Sequence, residues 1–256
     1  MATSTWNRAL VTGASSGIGL EFARQLAAAG TDLVVVARDE IRLRELADSL
    51  DVECDVLVAD LSDPNALGAV EQRLSDMASP IDLLVNNAGF GFHGPFHELD
   101  ADQAAAVVDV NVAAVHRLAR AAAPAMVAAG RGGILNVSSM AGFTATPGGA
   151  TYSATKAFVT SLSESLHGEL RPHGVHVSAL CPGFTRTEFQ SRAEYDTSSV
   201  PDAAWQTAAE VAAAGLRGVE KNRPIVVPGT LNRVGAALIN ALPAWLRRRV
   251  VARLSD

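Results

Sequence analysis

This chain has little cysteine, few aromatics, no excess of positive charge and no long apolar run. Two cysteines in 256 residues, Cys54 and Cys181, lie far apart in strand-like contexts. They read as buried free thiols of a reducing compartment. Neither stands at zinc-site spacing from a histidine, so no metal centre is expected. The formal net charge of −6 gives no electrostatic case for binding nucleic acid or an anionic membrane. No run approaches the ~20 apolar residues of a membrane span. The first residues, MATSTWNRALVTG, lack the apolar segment of a signal peptide. A soluble, cytoplasmic protein is expected. What the chain does have is glycine and aliphatic residues. With 48% hydrophobic residues over this length, a sizeable core is available.

The aliphatic residues fall into short runs. Ala9–Val11, Leu33–Val36, Val56–Val58, Ile81–Val85, Gly133–Val137 and Val175–Leu180 read as buried strands. A seventh, Pro224–Pro228, is placed at an edge by its prolines. Helical patterns lie between them: from Leu20, over Glu40–Leu50, over Asp63–Met77, over Ala101–Ala129 with a bend near Pro124, over Tyr152–Leu166, and over Ala203–Glu220 behind an Asp202 cap. This alternation predicts one Rossmann-like, doubly wound parallel α/β sheet of seven strands with helices on both faces, in a single domain over 1–256. The polar stretch 186–201 reads as a mobile substrate loop. Residues 231–256 form an amphipathic tail containing Trp245 and Arg247–Arg249. Packing over a cleft or a second subunit is favoured for it over lying on a membrane surface.

The turn Thr12–Gly19 joins the first strand to the first helix. Backbone N–H groups there, and the helix dipole, suit an anion. Gly13 permits the tight turn, and Gly17 and Gly19 allow close approach, with Ser15, Ser16 and Ile18 completing the cradle. The second strand ends in Ala37-Arg38-Asp39. An Arg there suits a 2′-phosphate and an acid suits a ribose hydroxyl, so Arg38 favours NADP(H) over NAD(H). Asp39 fits better as a helix cap. Asp60-Leu61 follows the third strand and either touches an adenine or caps a turn. Asn86 and Asn87 suit bracing loops, and Ala88-Gly89 leaves room for a ligand. Asn111 sits in an apolar helix middle. Either it is a satisfied core residue, or its side chain or a helix distortion holds a water near Lys156. Pro182-Gly183 makes a turn, after which Thr185 and Thr187 either meet a cofactor amide or form a plain polar loop. His93 and His97 read as loop histidines.

Tyr152 and Lys156 are spaced i, i+4 and share one helix face. A free phenol has a pKa of about 10. A nearby ammonium lowers it, so the tyrosine can exchange a proton with a substrate oxygen. Ser139, just past the fifth strand, can hold the same oxygen.

TGASSGIG, Asp60, NNAG, Asn111, Ser139, YSATK and PGFTRT, in this order, resemble the short-chain dehydrogenase/reductase family. The resemblance covers about Leu10 to Pro228. It implies that Tyr152 is the general acid–base, that Lys156 lowers its pKa and binds the nicotinamide ribose, and that Ser139 orients the substrate. It further implies that Asn111 positions a relay water, that Asn87, Ala88 and Gly89 border the cofactor, and that Thr187 holds the carboxamide. Thr185 departs from the aliphatic residue often found there. The implied function is NADP(H)-dependent interconversion of a carbonyl and an alcohol, on a lipophilic small molecule, by a homodimer or homotetramer. A dinucleotide-binding regulator with little turnover is the alternative. Phe90, Phe92 and Phe143 hint at an apolar pocket.

Overall fold

The structure is a computed structural model and describes residues 5–242 except 194, 196 and 199. In chain order its elements are β1 (Arg8–Thr12), α1 (Gly17–Ala28), β2 (Asp32–Ala37), α2 (Glu40–Asp48), β3 (Cys54–Val58), α3 (Pro64–Leu74), β4 (Leu83–Asn86), α4 (Ala101–Val108), α5 (Val115–Ala129), β5 (Gly132–Val137), α6 (Ala150–Leu170), β6 (Val175–Leu180), β7 (Thr185–Arg186), α7 (Phe189–Arg192), β8 (Gln206–Thr207), α8 (Ala208–Glu220), β9 (Ile225–Val226) and α9 (Thr230–Ala241).

Seven strands form one parallel sheet in the order β3-β2-β1-β4-β5-β6-β9. Successive side chains of a strand face opposite sides. Val11, Val35 and Val85 therefore meet Phe22 and Leu26 of α1 and Val211 and Val219 of α8. Leu10, Val34 and Leu84 meet Leu67 and Val70 of α3 and Leu118 and Met126 of α5. Because both faces are covered, the central strands read as unbroken apolar runs rather than alternating ones. Each such fully buried Leu or Phe contributes about 1.5–3 kcal/mol. The strand order reverses between β1 and β4, and the crevice outside the carboxyl ends of the strands at such a point is where sheets of this kind hold their ligands.

The doubly wound sheet and the edge position of β9 match the sequence expectation. Five local features differ. The anticipated helix over Ala101–Ala129 is two α-helices joined by a π-helical segment, Asp109–Ala114. The irregularity lies at Asn111, and Pro124 sits inside α5. The helix expected from Ala203 begins at Ala208. Asp202 opens a short 3₁₀ turn instead, and Thr207 caps α8 in a reciprocal capping box with Glu210. The Tyr152 helix is longer than anticipated at both ends, Ala150–Leu170. Cys181 is buried but Cys54 only partly, because β3 is an edge strand. Thr185–Arg186 and Gln206–Thr207 pair as a small separate parallel ribbon, so the segment between them is a strap with a clamped base.

Among the described residues, no helix is long and apolar enough to cross a membrane. Of the amphipathic tail 231–256, the part beyond Leu242 lies outside the described residues; the described part, in α9, seats Asn232 on Gly183, where a methyl would stand 2.6 Å from Asn232 Nδ2.

Candidate active site

The glycine turn is built for close approach. Gly13 (φ 69°) and Gly17 (φ 57°) adopt the left-handed region that only glycine enters cheaply. Gly13 N–H donates to Val36 O at 2.7 Å, tying the turn to β2. A methyl on Gly19 would overlap the Gly13 carbonyl oxygen. Ser16 precedes α1 in extended conformation and makes no side-chain capping bond. The first amides of α1 are thus left without a side-chain acceptor, as an anion-binding helix terminus requires. Ser15 and Ile18 are half-buried in the same turn. The cradle fits a dinucleotide pyrophosphate.

Thr12 fastens this turn to the next one. Its hydroxyl accepts from Asn87 N and Ala88 N, both at 3.0 Å. Asn87 Nδ2 donates back to Thr12 O at 2.9 Å and to Gly13 O at 3.3 Å. Asn87 therefore braces the crevice.

At the end of β2, Arg38 is three-quarters exposed, with Nη1 3.7 Å from the Asp60 carboxylate. Asp39 caps α2 by accepting from Arg42 N at 3.0 Å. Asp60 Oδ1 accepts from Ser62 N at 2.9 Å and from Ser62 Oγ at 2.7 Å, and so braces a turn. Burial raises the Asp60 carboxyl, but the Ser62 bonds and the Arg38 charge outweigh it and hold it below the usual range. Leu61 turns its side chain into the core, so only its main chain can face the crevice.

Asn111 is fully buried. Its Oδ1 accepts from Phe90 N at 3.1 Å, and its Nδ2 donates to Phe90 O at 2.8 Å and Thr155 Oγ1 at 3.1 Å. The side chain is thereby satisfied and locks the loop after Gly89. A methyl on Gly89 would stand 3.0 Å from Asn111 Oδ1 and 3.1 Å from Lys156 Nζ, so the lysine and the asparagine meet at one glycine.

Tyr152 is half-buried on the first turn of α6. Lys156, one turn on, is buried, donates from Nζ to Val137 O at 2.9 Å, and lies 5.6 Å from the Tyr152 ring centre. Burial pushes the Tyr152 phenol up to about 12, with the Ser139 hydroxyl acting the other way. Burial pulls Lys156 down to about 8. The sequence expectation that the ammonium lowers the phenol is not met in this state: burial raises it, and the influence opposing burial is the Ser139 hydroxyl. Ser139 caps a short 3₁₀ turn, accepting from Ala141 N at 3.1 Å. Beneath the pair, Ser138 Oγ donates to Lys156 O at 2.7 Å and meets Thr160 Oγ1 at 2.7 Å.

The segment after β6 closes the crevice. Pro182 O accepts from Met140 N at 2.9 Å. Thr185 is buried and donates to Gly183 O at 3.1 Å. Thr187 places its methyl 3.2 Å from where a Gly17 side chain would begin, directly over the glycine turn. The Phe189 ring lies 5.4 Å from that of Tyr152, and Phe184 sits between Tyr195 and Trp205 at 6.0 and 5.5 Å. Phe90 and Phe92 meet edge to face at 5.7 Å.

A glycine cradle after β1, a braced crevice after β4, and Ser139 after β5 facing Tyr152 and Lys156 of α6 agree with what comparison finds. A family model described as short chain dehydrogenase matches residues 7–197. The chain belongs to the short-chain dehydrogenase family. Oxidoreductase UcpA of Escherichia coli K12 is 36% identical over 191 residues, 73% of this chain and 72% of that one. A short-chain dehydrogenase from Sphingobium yanoikuyae, in complex with NADPH, is 37% identical with a TM-score of 0.82, covering 93% of this chain and 97% of that one. The bulky-bulky ketone specific alcohol dehydrogenase from Comamonas testosteroni is 34% identical with a TM-score of 0.78, covering 94% and 96%. This short-chain dehydrogenase is accordingly an oxidoreductase acting on a small molecule.

Thr12, Gly91 and Phe189 fall within segments the sequence points to, but their individual roles were not legible. A methyl on Gly91 would stand 2.6 Å from Tyr152 Cδ2, so the tyrosine needs a glycine against its ring. One signal was present: Gly91 lies two residues past Gly89 in an aromatic, glycine-rich loop.

Proposed function

We propose that this short-chain dehydrogenase interconverts a carbonyl and an alcohol with NADP(H), with Tyr152 as general acid–base. The observation that carries the reading is a half-buried phenol between Ser139 and Lys156 at the mouth of the sheet crevice. A bound nicotinamide supplies or accepts the hydride at the carbonyl carbon. Ser139 holds the substrate oxygen in register with the phenol. Tyr152, raised to about 12, is protonated near neutral pH and can donate to that oxygen in the reductive direction. Lys156, at about 8, is still mostly charged at pH 7 and offsets the phenolate left behind. The Asn111 side chain is committed to Phe90 and Thr155, so a relay water near Lys156 falls to the main chain of the π segment.

Arg38 is exposed at the end of β2 with Ala37, not an acid, before it, which supports NADP(H) over NAD(H). The NADPH complex of the Sphingobium relative supports the same choice. Gly13, Ser15, Ser16, Gly17, Ile18 and Gly19 cradle the pyrophosphate, and Asn87, Ala88, Gly89, Pro182, Gly183, Thr185 and Thr187 line the nicotinamide end. The segment 186–201 is the substrate loop of one catalytic domain. Its Phe189, with Phe90 and Phe92, supports a lipophilic substrate, in keeping with the bulky ketones named for the Comamonas relative.

The test is oxidation of NADPH against a panel of bulky aryl and alicyclic ketones. Turnover that disappears in Tyr152→Phe is expected. Full activity in that variant sinks the mechanism, and tight NADPH binding with no turnover across the panel points to a dinucleotide sensor.

A further inference from the structure

Three consecutive residues of the strap land on three parts of the crevice. Thr187 covers Gly17 in the phosphate turn. Phe189 lies on Tyr152. Between them, Glu188 reaches across to α2, where both its carboxylate oxygens lie 3.3 Å from Arg42 Nη1. These partners are 146 residues apart in sequence. Their contact is an ion pair that joins the strap to the start of α2.

Arg42 is placed to do more than pair. It lies four residues beyond Arg38, in the first turn of α2. Its Nε stands 3.5 Å from Asp39 Oδ2, so its guanidinium is shared between two carboxylates and remains nearly half exposed. Glu188 also pairs with Arg192, one helical turn along. Glu188 therefore keeps a cation if Arg42 leaves. Exchange of Arg42 from the carboxylate to another anion strands no charge, and an exposed ion pair of this kind opposes the exchange only weakly. A phosphate dianion offers a guanidinium more charge and more acceptor oxygens than a carboxylate already shared.

We propose that Arg42 is a second cofactor-specificity residue. Glu188 holds it in the free protein, and the 2′-phosphate of NADPH takes it, beside Arg38. Loss of the Arg42–Glu188 pair loosens the strap that keeps Phe189 on Tyr152, so binding of NADPH prepares the substrate mouth in a way NADH does not. The proposal rests on the NADP(H) reading of Arg38.

Equilibrium titration of the full chain by cofactor fluorescence, with no substrate, tests it. Arg42→Ala is expected to weaken NADPH about tenfold and leave NADH within about twofold, the size of one charge-assisted contact. Glu188→Gln is expected to tighten NADPH about threefold, since the competing carboxylate is gone, with NADH unchanged. The double variant should bind NADPH as Arg42→Ala does. Equal effects of Arg42→Ala on both cofactors overturn the proposal, as does weaker binding of both in Glu188→Gln, which would make the pair a clasp over the cofactor. Arg38→Ala separates the two levels. If it alone removes NADPH preference, Arg42 is not a specificity residue. If the wild type shows no preference, the NADP(H) reading itself has failed.

Discussion

The Lys156 ammonium lies 5.6 Å from the centre of the Tyr152 ring, and its hydrogen bond goes to the Val137 carbonyl at 2.9 Å. The i, i+4 spacing brings the two side chains together but does not by itself set the phenol's acidity. Both groups lose water, which disfavours the charged form of each: the phenol rises to about 12 and the amine falls to about 8. A ligand that draws the ammonium toward the phenol would reverse part of this.

Tyr152→Phe removes only the hydroxyl. Loss of a positioned general acid costs about 10²–10⁴-fold in rate. The expected result is a kcat lower by that factor with the NADPH dissociation constant within about twofold, since the ring still fills its place against Gly91. Rates and binding measured on one preparation check this.

Lys156→Met should remove activity yet cost little stability near neutral pH. The lysine's folded-state pKa, about 8, lies below its ordinary 10.5. Below pH 8 both the folded and unfolded chains carry the proton, and the folded state bears the full cost of a buried charge. As pH rises from 8 to 10.5 the folded state sheds the proton first, and that cost fades. The stability of the variant relative to wild type should therefore be most favourable below pH 8 and decline by about 1–3 kcal/mol by pH 10.5, on top of a constant cost for the orphaned Val137 carbonyl. Thermal melts at several pH values read this directly. A pH-independent difference would mean that Lys156 is not desolvated.

The sheet was legible because parallel strands covered on both faces leave unbroken apolar runs, as at Leu33–Val36 and Leu83–Val85. Asp39 was read correctly as a cap, since an acid before an amphipathic helix has a local signature. The start of α8 was misplaced although its capping box, Thr207 with Glu210 three residues on, is also local; Asp202 offered a competing cap just upstream. The π segment was anticipated only as one of two readings of Asn111. Its Asn111 bonds to Phe90, 21 residues away, a partner that no local pattern encodes. The strap was least legible. Its contacts join Glu188 to Arg42, Thr187 to Gly17 and Phe189 to Tyr152, and only the closed fold brings these together.

Two glycine substitutions should act in opposite directions. In Gly19→Ala the new methyl meets the Gly13 carbonyl, a backbone atom that cannot swing aside. The turn must shift, and NADPH binding should fall by at least about tenfold with a stability loss of about 1–3 kcal/mol. Gly68 lies inside α3 with nothing within 4 Å of a built methyl. Gly68→Ala should stabilise by about 0.5–1 kcal/mol and leave cofactor affinity unchanged. Paired melts and titrations distinguish a cradle glycine from a dispensable one.

Asn111→Ala tests whether this residue positions the loop after Gly89 or only fills the core. The side chain makes three bonds, two of them to the main chain of Phe90. Its loss leaves buried groups unpaired and should cost about 2–4 kcal/mol, a fall in Tm of roughly 5–10 °C for a chain of this size. A core role alone would lower stability and leave the pH profile of the remaining activity unmoved. Because Asn111 and Lys156 meet at Gly89, loosening this loop admits water to the amine, weakens its desolvation and should raise the Lys156 pKa. The alkaline limb of kcat/KM that follows Lys156 should then move to higher pH in Asn111→Ala, measured at a temperature where both proteins stay folded. An unmoved limb would confine Asn111 to packing.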